Sequence, residues 1–322
     1  MSSGSSRYES PFAAPEGAVP PRLAVVGSIA YDSIETPHGK RERVLGGAAC
    51  YFSWIASFYT RVGLSGVIGR DFELELLSPF RGRGIDLSGV ESDRENDTFF
   101  WRGRYEGDMN SAQTLETRLN ALGVYEPTLP DHYRKAPFVF LANTHPAVQN
   151  SVLDQLDEGT FSCCDSMNFW IENEPGELRR VLGRVNGFFC NDAEARSLAG
   201  TTNLIHAGRK LLELGLIFVV VKKGEHGALL FHREGVFGIP AFPTKDVKDP
   251  TGAGDSFAGG FMGALAAAGE AGAEQLRAAL FEGTVMASFT VEGFGLERLF
   301  ALDEESVADR RRRLRDFLPK AD

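Results

Sequence analysis

Cysteine is scarce, with four in 322 residues: Cys50, Cys163, Cys164 and Cys190. No pair has the C-x-x-C spacing of a zinc or redox site, and adjacent cysteines rarely bridge each other. All four sit in apolar segments, where a free thiol behaves as a small hydrophobe. Neither a disulfide scaffold nor a structural metal is expected. Positive charge is also in deficit, with 34 Lys+Arg against 44 Asp+Glu for a net charge of −10. A general binder of nucleic acid or of an anionic membrane shows the opposite sign on at least one long stretch. The longest basic run, Arg310 to Arg313, follows Asp303, Glu304 and Glu305 and reads as a solvated helix. No apolar stretch reaches membrane-spanning length, and the first residues lack the charged-then-apolar pattern of a leader. The cytoplasm is the expected compartment, with neither nucleic acid nor membrane as partner.

At 43% hydrophobic and 24% charged, the chain has ample material for one large domain or two small ones. Residues 1–21, rich in Ser, Ala, Gly and Pro and without periodicity, read as a disordered tail. From Leu23 onward, short apolar runs alternate with amphipathic stretches. The runs Leu23–Val26, Phe138–Ala142, Phe161–Cys164, Gly187–Cys190 and Leu216–Val221 are apolar on both faces, the pattern of buried parallel strands. Val148–Leu156, Glu177–Val185 and Leu204–Leu214 have helical period. The alternation predicts an α/β fold with a sheet covered on both sides.

Two segments break that rhythm. Ser33–Glu35 and Arg41–Val44 flank a Pro37-His38-Gly39 turn, and Thr98–Tyr105 and Thr114–Leu119 flank Glu106 to Asn110. Phe99, Trp101 and Tyr105 alternate with Phe100, Arg102 and Arg104, a period of two. Two hairpins outside the main sheet follow, either a surface ribbon or a lid over a site.

Polar residues follow the apolar runs directly: Asp32 soon after the first, then Asn143, Asp165, Asn191 and Lys222-Lys223-Gly224. In a parallel sheet all of them emerge at the carboxyl edge, where open α/β proteins bind ligands. The strongest local feature is Asp249-Pro250-Thr251-Gly252-Ala253-Gly254-Asp255, followed by Phe257, Phe261 and Leu265 at every fourth residue. A glycine-rich turn therefore opens a helix near Asp255, and unpaired N–H groups at such a start favour an anion. Capping and tight packing alone would explain Asp255 but not three permissive residues before it. The Walker pattern G-x-x-x-x-G-K-[ST] is absent, and the dinucleotide pattern G-x-G-x-x-G fails at Phe257.

On these residues the chain resembles the ribokinase-like (PfkB) family of small-molecule kinases. Asp249 to Phe257 match its C-terminal signature, with Pro250 where Thr is usual. Gly27-Ser28 with Asp32 is similar to its first strand and sugar-binding Asp, and Gly46-Gly47 to its substrate-side double glycine. Asn191 and Glu194 fit its N-x-x-E, and Lys222 to Gly227 its nucleotide loop.

The resemblance implies a three-layer α/β/α domain over residues 22–322, mostly parallel in its sheet, with a β lid formed by about 32–46 and 96–120. It implies transfer of the γ-phosphoryl group of ATP to a hydroxyl of a sugar, polyol or nucleoside. Asp255 would be the base, and Gly252, Ala253 and Gly254 the backbone anion hole. Asn191, Glu194, Lys222, Gly224, Gly227 and Thr251 would face the nucleotide, with Glu194 organising Mg²⁺ through water. Asp249 would help hold a monovalent cation such as K⁺. Asp32, Gly46, Gly47, Asn143 and Asn110 would face the acceptor, and family members often form homodimers through the lid.

Other readings stand beside these. Asn191 and Glu194 also spell a capping box, Lys222 could solubilise a strand end, and the lid aromatics could form the lid's own core. Ala30 and Tyr51 stand where many sugar kinases carry amides. A sugar is the first expectation for the acceptor and a nucleoside the second, the latter on Tyr51 and the lid aromatics. A non-catalytic sensor of a sugar or nucleotide is the alternative from another class, disfavoured by the joint presence of base and anion hole.

Overall fold

Each of the five long apolar runs becomes a strand at the middle of one sheet. The computed structural model describes residues 7–14 and 17–319. Its strands are β1 (Tyr8–Glu9), β2 (Leu23–Val26), β3 (Ala30–Thr36), β4 (Gly39–Gly46), β5 (Val62–Gly69), β6 (Asp86–Asp93), β7 (Phe99–Tyr105), β8 (Ala112–Arg118), β9 (Phe138–Leu141), β10 (Phe161–Asp165), β11 (Gly187–Asn191), β12 (Phe218–Lys222), β13 (Ala228–His232) and β14 (Gly235–Ile239). Ten of them form the main sheet in the order β1-β6-β5-β2-β9-β10-β11-β12-β13-β14. From β6 through β12 every pairing is parallel; β1, β13 and β14 add antiparallel edges.

Strand alternation splits the core in two. Leu23 and Val25 enter one apolar cluster, packed under the helices Ala48–Ala56, Ala253–Ala268 and Ala273–Thr290. Ala24 and Val26 enter the other, under Pro146–Leu153, Pro175–Leu182, Asp192–Ala199 and Leu204–Leu212. The result is the expected three-layer α/β/α arrangement. Among the described residues no helix is long and apolar enough to cross a membrane.

The two hairpins join as a second sheet in the order β4-β3-β7-β8. Each hairpin is antiparallel, and they meet through a parallel β3·β7 pairing that sets Asp32 beside Trp101. Ile34, Tyr105 and Met109 form a small core with Phe294 of the body, against which Trp101 and Val247 pack. Phe99 packs separately, with Val67, Ala121, Leu122 and Tyr125.

The expected disordered tail needs a correction. Tyr8–Glu9 pairs antiparallel with the end of β6, and Arg7 donates to the buried Asp93 carboxylate at 2.8 Å. An edge strand presents unpaired backbone groups, and a short added strand covers them. Here the added strand also brings the cation that Asp93 needs, which holds that carboxyl down at about 2 against the cost of burial. Residues 1–6 and 15–16 lie outside the described residues.

Candidate active site

The turn that precedes the Ala253–Ala268 helix is shaped by its neighbours. Gly252 caps the helix at φ +76°, and a Cβ there would stand 2.4 Å from the Tyr51 ring. Only glycine meets both conditions. Ser256 N–H closes the first helical bond on the Gly252 carbonyl (2.8 Å), while Ala253 N–H turns back to the Pro250 carbonyl (3.1 Å). Of the three residues expected to form an anion hole, Gly252 and Gly254 thus keep N–H groups without a protein acceptor among the described residues, and Ala253 does not. The fully buried Asp249 staples the turn: its Oδ1 accepts from Thr251 N–H and its Oδ2 from Gly295 N–H, both at 2.9 Å. Burial raises the Asp249 carboxyl, opposed by the bonds from Thr251 and Gly295.

Asp255, in the first turn of that helix, is the centre of two groups of carboxylates. Burial pushes its carboxyl up to about 6, with the Lys222 ammonium pulling the other way. On one side stands Asp32, raised by burial, then by Asp249 and Asp255, to about 8. A Cβ on Gly46 would overlap the Asp32 carboxylate, which explains the first of the two glycines. Gly47 adopts φ +94° and lends its backbone N–H to Asp32.

On the other side stand Asp165, Glu194 and Lys222. Asp165 is buried, and its Oδ1 has no hydrogen-bond partner among the described residues. Burial raises its carboxyl strongly, Asp255 adds to the rise, and Lys222 opposes it. Asp165 carried only the generic signal of a polar residue at a strand end, so sequence reasoning assigned it no role. Glu194 is also raised by burial and lowered by Lys222. The Lys222 Nζ lies 2.8 Å from where a Gly254 Cβ would be, so the ammonium rests against the helix start.

The capping box at Asn191 is real. Glu194 N–H donates to Asn191 Oδ1 and Asn191 N–H to Glu194 Oε2, each at 2.8 Å. Glu194 Oε1 takes no part in it. Past Lys222 the chain makes a tight turn, with Gly224 at φ +55° and Gly227 at φ +83°. Among the described residues no three acidic, His or Cys side chains converge enough to hold a metal ion by themselves.

Other expected residues are drawn elsewhere. The Asn110 side chain donates to Glu225 Oε1 (3.0 Å) and accepts from Glu225 N–H (3.3 Å), so the tip of the second sheet meets the 224–227 turn. Asn143 stands at the carboxyl edge, where its Oδ1 accepts from Trp170 Nε1 (3.1 Å) and its Nδ2 donates to the Met167 sulfur (3.2 Å). Thr251 Oγ1 donates to the Tyr105 hydroxyl (3.3 Å), a direct link between the glycine-rich turn and the second sheet. Tyr51 is only 1% exposed and lies beneath Gly252, so its ring has no free face for a base.

Residues 21–298 match the family model described as pfkB family carbohydrate kinase. The chain belongs to that family. A cytidine kinase of Thermococcus kodakarensis is 31% identical over 247 residues, covering 74% of this chain and 87% of that protein. An inositol 3-kinase of Arabidopsis thaliana is 25% identical over 307 residues, 89% of this chain and 79% of that one. Among solved structures, Arabidopsis thaliana ribokinase complexed with ribose and ATP superposes with a TM-score of 0.73 at 22% identity, over 91% of this chain and 99% of that one. Family membership makes the protein an ATP-dependent small-molecule kinase, and the superposition shows the ribokinase fold.

Proposed function

We propose that the protein transfers the γ-phosphoryl group of Mg·ATP to a hydroxyl of a polyhydroxylated small molecule, a sugar or polyol first, with Asp255 as the base. The observation that carries this reading is the placement of Asp255 beside unbonded N–H groups at a helix start. A base and an anion hole within one helical turn suit a reaction that needs alignment and charge stabilisation more than covalent chemistry. With its carboxyl at about 6, Asp255 is ionised at neutral pH and able to accept a proton. As the acceptor oxygen bonds to phosphorus, its proton passes to Asp255. The bond from the γ-phosphorus to its bridging oxygen breaks, and ADP leaves. The N–H groups of Gly252 and Gly254, with the Lys222 ammonium, face the charge that builds on the transferred group.

Asp32 and the Gly46-Gly47 backbone hold the acceptor's hydroxyls. When bound, Mg²⁺ would supply neutralisation of the phosphate charge. Asp165 Oδ1, without a hydrogen-bond partner among the described residues, and Glu194 Oε1, which lies outside the capping box, would hold it through water, because the carboxylates are too dispersed to enclose an ion directly. Asn191, Thr251 and the 224–227 turn lie on the nucleotide's side. Asp249, whose two oxygens each accept one backbone N–H, would help hold a monovalent cation such as K⁺.

A nucleoside acceptor is the second reading, favoured by the 31% identity to a cytidine kinase over most of both chains. Acceptor-dependent ADP release with Mg·ATP, across ketoses, aldoses, inositols and nucleosides, separates the two. A sugar or polyol hit supports the first reading and a nucleoside hit the second. ATP binding with no acceptor turned over across the panel would overturn both.

A further inference from the structure

Asp32 lies beside an irregularity in its own sheet. Asp32 pairs with Val44, but Ile34 pairs with Arg41, so Ser33 stands opposite both Glu42 and Arg43. Such a bulge bends the strand and re-aims the side chains next to it. Arg43, inside the bulge, has φ +51°, a conformation that a long side chain rarely takes and that surrounding contacts must hold. Ser33 Oγ accepts from Arg43 N–H at 3.1 Å, and the rest of the hold comes from the body.

That hold is Asp71, two residues past the end of β5. Its Oδ2 accepts from Arg43 Nη2 (3.0 Å), and its backbone carbonyl from the same nitrogen (3.2 Å). Its Oδ1 accepts both Thr98 N–H (2.7 Å) and Thr98 Oγ1 (2.8 Å), at the entry to β7. The Arg43 guanidinium lies 3.9 Å over the ring of Tyr31, the buried neighbour of Asp32. Tyr31 hydroxyl in turn accepts from Glu73 N–H at 3.0 Å. One carboxylate of the body thus ties down β4 and β7, the two strands that flank the strand bearing Asp32.

We propose that Asp71, acting through Arg43 and Thr98, is a positioning residue that holds the bulge and so aims Asp32 at the acceptor. An isolated, half-exposed ion pair contributes little. This one is joined to a backbone bulge, a ring and a second strand, and its loss is felt where Asp32 meets the substrate. The proposal rests on the reading of Asp32 as an acceptor ligand.

The test compares wild type, Asp71→Asn, Arg43→Gly and the double variant as full-length proteins. Glycine relaxes the φ +51° position, so Arg43→Gly removes the tie without straining the bulge. With cytidine, ribose and myo-inositol as acceptors, each single variant should raise KM for any acceptor that is turned over by about tenfold, equivalent to about 1.4 kcal/mol. kcat and KM for ATP should stay within about twofold, and the double variant should be no worse than either single, as for partners in one interaction. Equal shifts in both KM values, or additive losses, overturn the proposal.

Hydrogen–deuterium exchange with Mg·AMP-PNP bound decides it without any acceptor. Faster exchange in Asp71→Asn confined to residues 30–46 and 98–105 supports it, and unchanged exchange there overturns it. AMP-PNP binding with no turnover of the three acceptors, in any of the proteins, bears on the acceptor class and leaves exchange to judge Asp71.

Discussion

The glycine-rich turn, which ends in Asp255, and the strand that carries Asp32 meet in one carboxylate cluster, yet different interactions hold them. Asp249 to Asp255 is a contiguous segment, fixed by backbone bonds to one side chain, by Tyr51 beneath Gly252 and by a 16-residue helix buried in the larger core cluster. Asp32 belongs to a four-stranded sheet with a core of a few side chains, steadied from the body by Asp71, Thr251, Phe294 and the Asn110–Glu225 contact. The first half has little freedom to move. The second depends on discrete polar ties that a ligand or a mutation can alter singly. A phosphate site profits from N–H dipoles that need no rearrangement during transfer, whereas an acceptor must enter and leave.

The largest expected effect falls on the rigid half. Asp255→Asn should cut kcat by roughly two to four orders of magnitude, the usual cost of losing a general base. AMP-PNP binding should change little and the variant should melt no earlier than wild type, because the fold of the turn does not depend on that carboxylate. A drop of less than tenfold in kcat would make Asp255 a structural acid and dissolve the contrast between the two halves.

Glu194→Gln sharpens the contrast from the nucleotide's side. Gln serves as well as Glu in a capping box, so the cap on the Asp192–Ala199 helix survives and the melting temperature holds. The Mg²⁺ concentration for half-maximal rate should rise severalfold. A titration that leaves the Mg²⁺ dependence unchanged while the protein melts earlier assigns Glu194 to the cap alone.

How far each half could be read from sequence follows from the same contrast. The turn is legible because its residues are neighbours in the chain: three permissive positions, an acid and a helical repeat of aromatics fall within a dozen residues. The central strands are legible because burial on both faces leaves an unbroken apolar run. β5, Val62–Gly69, is equally buried but escapes notice because glycines at 63, 66 and 69 interrupt the run. Asp165 and Asp71 escape for another reason. Their roles rest on the electrostatic pull of Lys222 on Asp165 and on the hydrogen bonds of Asp71 with Arg43 and Thr98, partners 57, 28 and 27 residues away in the chain. Asn110 shows the converse, since a polar residue at a turn tip says nothing about which loop it will meet. Tyr8–Glu9 is hidden by a tail composition that signals disorder, because two residues of edge pairing leave no periodicity.

A further effect falls on stability rather than on rate, and pH separates the halves. Burial raises Asp32 to about 8 and Asp255 to about 6, against about 3.9 for an unfolded Asp. Between those limits the native state keeps a proton that the unfolded chain has released. The unfolded state then binds fewer protons, and stability falls as pH rises. The contribution of each group is whole below about pH 4 and is lost as pH rises through its native value. Asparagine cannot ionise, so each isostere is spared that loss. The melting temperature of Asp32→Asn relative to wild type should therefore climb steadily from pH 5 to about pH 8, tracking the raised Asp32 value. That of Asp255→Asn should climb only to about pH 6 and then level. Differential scanning fluorimetry of the three ligand-free proteins, at constant ionic strength, reads both curves. If the two differences level at the same pH, the carboxylates titrate as one unit, and the acceptor side is no more separable from the turn than Asp165 is.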